Sequence, residues 1–79
     1  MTMRNDFHAS DFAAVTPSDT TAVDFVALYV GGAGNLAVKG EGGTAVTFTA
    51  VPVGTVLAGH FIAVMATNTT ATDIVGFKA

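Results

Sequence analysis

The sequence predicts an all-β fold, a small antiparallel β-sandwich or barrel of about six short strands. Apolar and β-branched segments recur at intervals of about 8–12 residues, which is the spacing typical of such folds. Turns rich in glycine, proline, asparagine and threonine separate these segments, and no segment carries a sustained helical stripe of apolar residues. Because the turns are short, antiparallel pairing of successive strands is favoured.

Predicted strands and turns alternate along the chain from residue 13 onward. The predicted strands are residues 13–16, 23–30, 36–39, 44–51, 59–66 and 72–77. The turns between them lie at residues 16–19, 31–35, 40–43, 51–55 and 67–70. Proline sets φ for a turn position, glycine accepts positive φ, and short polar side chains bond to nearby backbone amides.

The chain is organised around residues 27–38, which read ALYVGGAGNLAV. Val, Phe, Leu and Tyr in residues 23–30 suit a pleated, buried surface. The glycines in residues 31–34 permit a reversal, and Asn35 tolerates the left-handed region. Leu36 and Val38 then share one face of a second strand. A β-hairpin is the simplest prediction.

Alternation within the strands predicts the buried core. The core residues expected from it are Phe25, Leu28, Leu36, Val46, Phe48, Ile62, Val64 and Ile74. The segments at residues 23–30 and 59–66 are apolar on both faces, yet a single small sandwich buries only one face of each sheet. We therefore expect the second face to be covered by identical chains, with an interface that includes Phe25, Ala27, Tyr29, Phe61 and Met65.

Composition limits the classes of function. The 79 residues form one domain without cysteine, and 51% hydrophobic against 11% charged residues is apolar for a small monomer. With a net charge of −3 and three permanent cations, direct binding to nucleic acid is not expected. No apolar run is long enough to insert into a membrane. Polar residues near the N-terminus occupy the positions where a signal peptide would have its apolar core. Synthesis in the cytoplasm is expected.

The first twelve residues differ from the rest. Residues 1–12 are predicted to be an N-terminal arm and residues 13–79 the β domain, because the arm shows neither regular alternation nor a helical stripe. Phe7 and Phe12 stand among polar and charged residues in this arm. They are predicted to anchor the chain to a larger structure, although covering the edge of the domain is an equally simple role.

No group of residues indicates catalysis, a cofactor or a metal. Asp6, His8 and Asp11 have metal-binding side chains, but no rigid element supports them. His60 stands in an apolar strand and is predicted to be a packing residue. A catalytic triad could be drawn from Ser10 or Ser18 with His60 and Asp73. The sequence around these serines does not resemble a nucleophile elbow, however. The glycines at residues 31–34 precede a strand, whereas a phosphate-binding loop precedes a helix.

Several blocks carry a resemblance to a known family. They are the Pro-Ser-Asp at residues 17–19, ALYVGGAGNL at 27–36, VTF at 46–48, VPVGT at 51–55 and ATNTTA at 66–71. Together they resemble the small head-spike base proteins of gene transfer agents and related tailed-phage particles, over residues 14–77. The ALYVGGAGNL block is the most specific of them.

The resemblance implies a structural role on the outer surface of a capsid head. A head-spike base would sit on a capsid vertex and link the major capsid protein to a projecting spike fibre, which helps the particle attach to surface polysaccharide. A homopentamer would match the fivefold axis of a vertex, and a trimer is the alternative because spike fibres are often trimeric. Two other functions remain open: a carbohydrate-binding module acting through its threonine-rich turns, and a small hydrolase, which the lack of paired catalytic groups disfavours.

Overall fold

A computed structural model describes residues 10–79, which form two antiparallel β-sheets and contain no helix. The strands are β1 (Asp11–Val15), β2 (Phe25–Gly32), β3 (Gly34–Lys39), β4 (Ala45–Val51), β5 (Thr55–Phe61), β6 (Ala63–Val64) and β7 (Thr72–Lys78). Sheet A has the order β1-β7-β2-β5, and sheet B has the order β4-β3-β6. The predicted all-β class is confirmed. The division into an arm and a β domain stays a prediction, although β1 already begins at Asp11.

The hydrophobic core lies between the two sheets. Its members are Phe25, Leu28, Val30, Leu36, Val38, Val51, Phe61, Val64, Ala71 and Ile74. Simple alternation would put Phe25 on the face opposite to Leu28. The pairing of β2 with β5 shifts between Phe25 and Ala27, however, and such a bulge reverses the side on which the preceding residue points. Phe25 is therefore buried with Leu28.

Sheet A is apolar on both of its faces. Residues opposite each other on neighbouring antiparallel strands share a face, so the register defines rows of side chains across the sheet. The two inner rows are Ala13, Gly76, Leu28 and Leu57, and Val15, Ile74, Val30 and Thr55. The two outer rows are Phe12, Phe77, Ala27 and Ala58, and Ala14, Val75, Tyr29 and Val56. These eight residues are named the outer face.

The predicted hairpin between β2 and β3 is wrong, because the chain passes from sheet A to sheet B after Gly32. β2 pairs with β5 and β7, whereas β3 pairs with β4 and β6. The glycines allow close backbone approach. A Cβ on Gly32 would lie 1.8 Å from the Thr72 hydroxyl, and one on Gly34 would lie 2.6 Å from the Ala71 nitrogen. The glycine-rich segment thus fits against residues 70–72 while it changes sheets.

The strand predicted at residues 59–66 also changes sheets. It is divided into β5, in sheet A, and β6, in sheet B. At the break, the Ile62 amide donates to the Lys39 carbonyl, and the Ile62 carbonyl accepts from the Val23 amide. Ile62 is half-buried rather than part of the core cluster. Strands that switch sheets in this way form the corners of a sandwich.

The predicted burial of Val46 and Phe48 is wrong, although their shared face was predicted correctly. They lie opposite Val38 and Leu36, whose side chains are in the core. Val46 is nevertheless 55% exposed and Phe48 40% exposed. β4 is an edge strand of sheet B, and its contacts with sheet A are few. An open groove of about 280 Å³ results, lined by both residues together with Leu57 and Phe61.

We predict that truncating a buried side chain on this shared face lowers the free energy of unfolding more than truncating an exposed one. Leu36→Ala, at a position with no exposed surface, should lower the free energy of unfolding by about 2–5 kcal/mol. Phe48→Ala should cost about 1–2 kcal/mol, because much of its ring is already in water. Urea unfolding at a fixed protein concentration measures both values. If both variants lost the same free energy of unfolding, Phe48 would be as buried as Leu36. The groove would then be closed.

We predict that Gly76 is restricted by packing. A Cβ there would lie 2.4–2.5 Å from the ring of buried Phe25. Gly76→Ala should therefore destabilise the fold by about 1–3 kcal/mol through overpacking. Gly42→Ala is the matched control, since a Cβ at Gly42 meets nothing within 4 Å. Thermal melting of both variants tests this, and an unchanged melting temperature for Gly76→Ala would contradict the packing of Phe25.

Candidate interaction surfaces

The outer face of sheet A is an apolar surface that points away from the core. It combines three aromatic residues with aliphatic ones and contains no charged side chain. Its exposure is uneven. Phe12 is 62% exposed and Val56 45% exposed, Tyr29 is half-buried, and Ala27 has no exposed surface. Exposed apolar surface of this kind is characteristic of interaction sites.

Four of the five residues predicted to form a subunit interface lie on sheet A, and they are divided between its two faces. Ala27 and Tyr29 belong to the outer face, whereas the bulge in β2 and the end of β5 place Phe25 and Phe61 in the core cluster. Met65, just after β6, is half-buried, and its amide donates to the Ala37 carbonyl. Tyr29 and Met65 are therefore the predicted interface residues that keep accessible surface.

Of the two predicted anchor residues, Phe12 lies within the described residues and Phe7 does not. Phe12 lies in β1, and its ring packs edge-on against Phe77, with ring centroids 5.2 Å apart. Edge-to-face packing of this kind holds the ring in one orientation. More than half of Phe12 remains exposed, so it is accessible at the edge of the outer face. Phe7 lies outside the described residues.

The threonine-rich turn before β7 uses its hydroxyl groups within the chain. The Thr67 hydroxyl donates to Asp19 Oδ2 at 2.6 Å, and the Thr69 hydroxyl accepts from the Ala37 amide at 2.9 Å. The Thr70 hydroxyl accepts from the Asn35 amide at 2.8 Å. These groups hold the turn against β3 and the segment before β2. They are already engaged, which disfavours sugar binding through this turn.

Asp19 caps the same turn. Its Oδ1 accepts hydrogen bonds from the Ala66 and Thr67 amides, each at 2.9 Å. The Thr67 hydroxyl bond is the main cause that lowers the pKa of Asp19 below its ordinary 3.8, followed by the Thr67 amide. The Ala66 amide and the charge of Lys39 also lower it, and partial desolvation opposes them. The Pro-Ser-Asp sequence predicted a local turn, whereas its carboxylate binds a segment 47 residues away.

His60 is bonded to two carboxylates at the end of β5. Its Nε2 lies 2.7 Å from Asp24 Oδ1, and its Nδ1 lies 2.5 Å from Glu41 Oε2. The sequence predicts a packing residue at position 60, because both partners are distant along the chain; that prediction is wrong, since His60 is exposed and hydrogen-bonded. Both hydrogen bonds raise the pKa of His60 above 6.5, that to Glu41 the most.

The other candidate sites are not assembled among residues 10–79. Both nitrogens of His60 face carboxylates, and the Ser18 hydroxyl interacts with Thr20 and Thr21. No cluster of three or more His, Cys, Asp or Glu residues in this range can hold a metal ion. Asp6 and His8 lie outside the described residues. The glycines of residues 31–34 are packed closely against residues 70–73.

Within residues 10–79, no helix has the length and apolarity that a membrane crossing requires. Exposed apolar side chains lie on the outer face of sheet A and in the groove beside β4.

Comparison with solved structures gives one informative similarity. The chain is similar to a protein chain in the capsid of native GTA particle, a structure computed with C5 symmetry. The two are 37% identical, with a TM-score of 0.80, over 90% of this chain and 84% of that chain. No family model matches this chain, and no curated protein does.

We predict that the Asp19 cap makes a pH-dependent contribution to stability. A lowered folded-state pKa means that the contribution is present above the unfolded-state pKa and is lost as the pH falls through the folded-state value. Asp19→Asn should thus lower the melting temperature at neutral pH, and this difference should shrink in acid. Asp73→Asn is the control, because it removes the same charge at an exposed position whose φ of 53° suits asparagine. A difference between Asp19→Asn and the parent that does not change with pH would contradict the cap.

Proposed function

This chain belongs to the same family as the GTA capsid protein to which it is similar, and we propose on that premise that it is the base of a head spike. The coarser conclusion is that it is a structural component of a gene-transfer-agent particle. The observation that carries this conclusion is 37% identity over nine tenths of the chain. A role as a structural component also supports the expectation that the chain is not an enzyme.

Two further observations support the spike-base assignment. The matched region covers nearly equal shares of both chains, so the related capsid component is about as small as this one. A chain of this size is suited to an accessory position rather than to building the shell, because small domains bury little surface and gain support from partners. The ALYVGGAGNL block also resembles head-spike base proteins.

The spike base is proposed to be a homopentamer, with a trimer as the alternative. The related particle was reconstructed with C5 symmetry, which is the symmetry of a capsid vertex. A ring of identical chains covers one apolar patch of each subunit with its neighbour. The outer face of sheet A supplies such a patch, and Tyr29 and Val56 lie opposite each other in one of its two rows. Burial of Phe25 and Phe61 within the chain limits their role to supporting this surface.

The proposed partners are the major capsid protein and a spike fibre. The base would stand on the outer surface of the head, with residues 1–12 contributing to its attachment. Exposed Phe12 supports this role for the part of the arm that is described. A carbohydrate-binding module is disfavoured as the function, because the hydroxyls of Thr67, Thr69 and Thr70 bond within the chain.

Reconstitution tests the proposed function. Particles from a strain that lacks this gene would be mixed with the purified protein, and bound protein would be located by electron microscopy. The proposal expects added density at the vertices. Variants lacking residues 1–9, which leave β1 intact, should bind these heads more weakly. Failure of the full chain to bind purified heads would contradict the spike-base function, whereas normal binding of the shortened chain would contradict only the role of the arm.

We predict that self-association depends on the outer face. Val56→Ser, which places a polar group at a 45% exposed position of that face, should shift the native mass toward the monomer. Val53→Ser is the matched control, since Val53 is 64% exposed in the turn before β5 and lies outside the outer face. Native mass spectrometry at several concentrations compares the two variants with the parent. If both variants lost assembly equally, or if neither lost it, the outer face would not be part of the interface.

A further inference from the structure

The His60 cluster joins three separated parts of the chain. His60 lies in β5, Asp24 immediately precedes β2, and Glu41 lies in the turn at residues 40–43 between β3 and β4. β2 and β5 belong to sheet A, whereas β3 and β4 belong to sheet B. The imidazole thus bridges the end of one sheet and a turn of the other.

Hydrogen-bond chemistry assigns the number of protons on this ring. A neutral imidazole has one N–H donor and one lone-pair acceptor, while a carboxylate offers only acceptors. Both ring nitrogens of His60 lie within 2.7 Å of a carboxylate oxygen. Both contacts are hydrogen bonds only when the imidazole carries two protons and donates from each nitrogen. A neutral ring would turn a lone pair toward one of the carboxylates.

The bridge lies where the sandwich is least covered. Residues 45–50 of β4 are exposed, and β4 forms one wall of the open groove. A backbone bond from the Ile62 amide to the Lys39 carbonyl lies beside the turn, and the Gly40 side of the turn approaches the His60 carbonyl. The imidazole bridge is therefore placed to control the position of the turn and of the strand that follows it.

We propose that His60 is a protonation-controlled clasp between the two sheets. In the doubly protonated form, it holds the 40–43 turn against the end of sheet A through Glu41 and Asp24. When one ring proton leaves to solvent, one of the two bonds is replaced by repulsion between a nitrogen lone pair and a carboxylate. The turn and the start of β4 then separate more readily from sheet A, and the groove widens. This inference concerns the single chain and does not rest on the proposed function.

The two carboxylates that contact the imidazole set the direction in which the stability of the clasp depends on pH. The charged groups in contact with the His60 ring are Glu41 from the β3–β4 turn and Asp24 from the segment before β2. Their hydrogen bonds and charges raise the pKa of His60, and partial desolvation opposes them. A raised folded-state pKa means that the clasp is fully present below the unfolded-state pKa of about 6.5 and is lost as the pH rises through the folded-state value.

The test combines an imidazole titration with amide exchange on the full-length chain. His8→Gln is introduced first, so that His60 is the one titrating ring observed by NMR. We expect its pKa to lie above the ordinary value and to fall in Glu41→Gln, which keeps the shape and removes the charge. Gly43, whose amide donates to the Gly40 carbonyl, reports on the turn, and Gly54, whose amide donates to the Val30 carbonyl, is the control turn.

The ratio of amide protection at Gly43 to that at Gly54 corrects for the intrinsic pH dependence of exchange. Between about pH 5.5 and about pH 9, the ratio should fall by about 1.5- to 5-fold, the size expected for loss of an exposed ion pair. In Glu41→Gln the ratio should no longer differ between the two pH values, because the glutamine amide can either accept from or donate to Nδ1 of His60. The clasp is overturned if His60 titrates at the ordinary value, or if it titrates high while the ratio stays constant.

Discussion

Asn35 holds together three parts of the chain at the point where it enters sheet B. Its carbonyl accepts the amides of Thr70 and Ala71 at 2.9 and 3.0 Å, and its amide donates to the Thr70 hydroxyl. Its side-chain oxygen accepts the Ala50 amide at 2.9 Å, at a residue with a φ of 56°. A non-glycine residue in the left-handed region needs such support. The start of β3, the end of β4 and the turn before β7 are therefore fixed by one residue.

The placement of β7 follows from this constraint and creates the outer face. Once residues 70–71 are bonded to Asn35, β7 begins at Thr72 beside Gly32 and runs between β1 and β2. Val75 and Phe77 then continue the apolar rows started by Tyr29 and Ala27. Sheet B covers the inner side of these strands, while residues 10–79 provide no third layer for the outer side. In a capsid component, neighbouring molecules can provide that layer.

Local patterns predicted the strands but not the way in which they are assembled. The alternation of Val46 and Phe48 correctly assigned their face, and the turn residues gave most of the strand boundaries. The bulge that turns Phe25 into the core depends on pairing with β5, which no local pattern reports. The glycines at 31–34 suggested a hairpin because the sequence does not distinguish positive φ from close backbone approach. The partners of Asp19 and His60 lie far along the chain, so their interactions required the fold.

The chain is proposed to be a spike base that stands on capsid vertices as a closed ring. A reconstruction of the capsid vertices without imposed symmetry, from particles made with and without this gene, tests this proposal most directly. The account predicts that the difference density lies at the vertices, accommodates five copies, and brings the outer face of sheet A of each copy against its neighbour. Difference density away from the vertices, or a single copy with its outer face turned to solvent, would contradict the account.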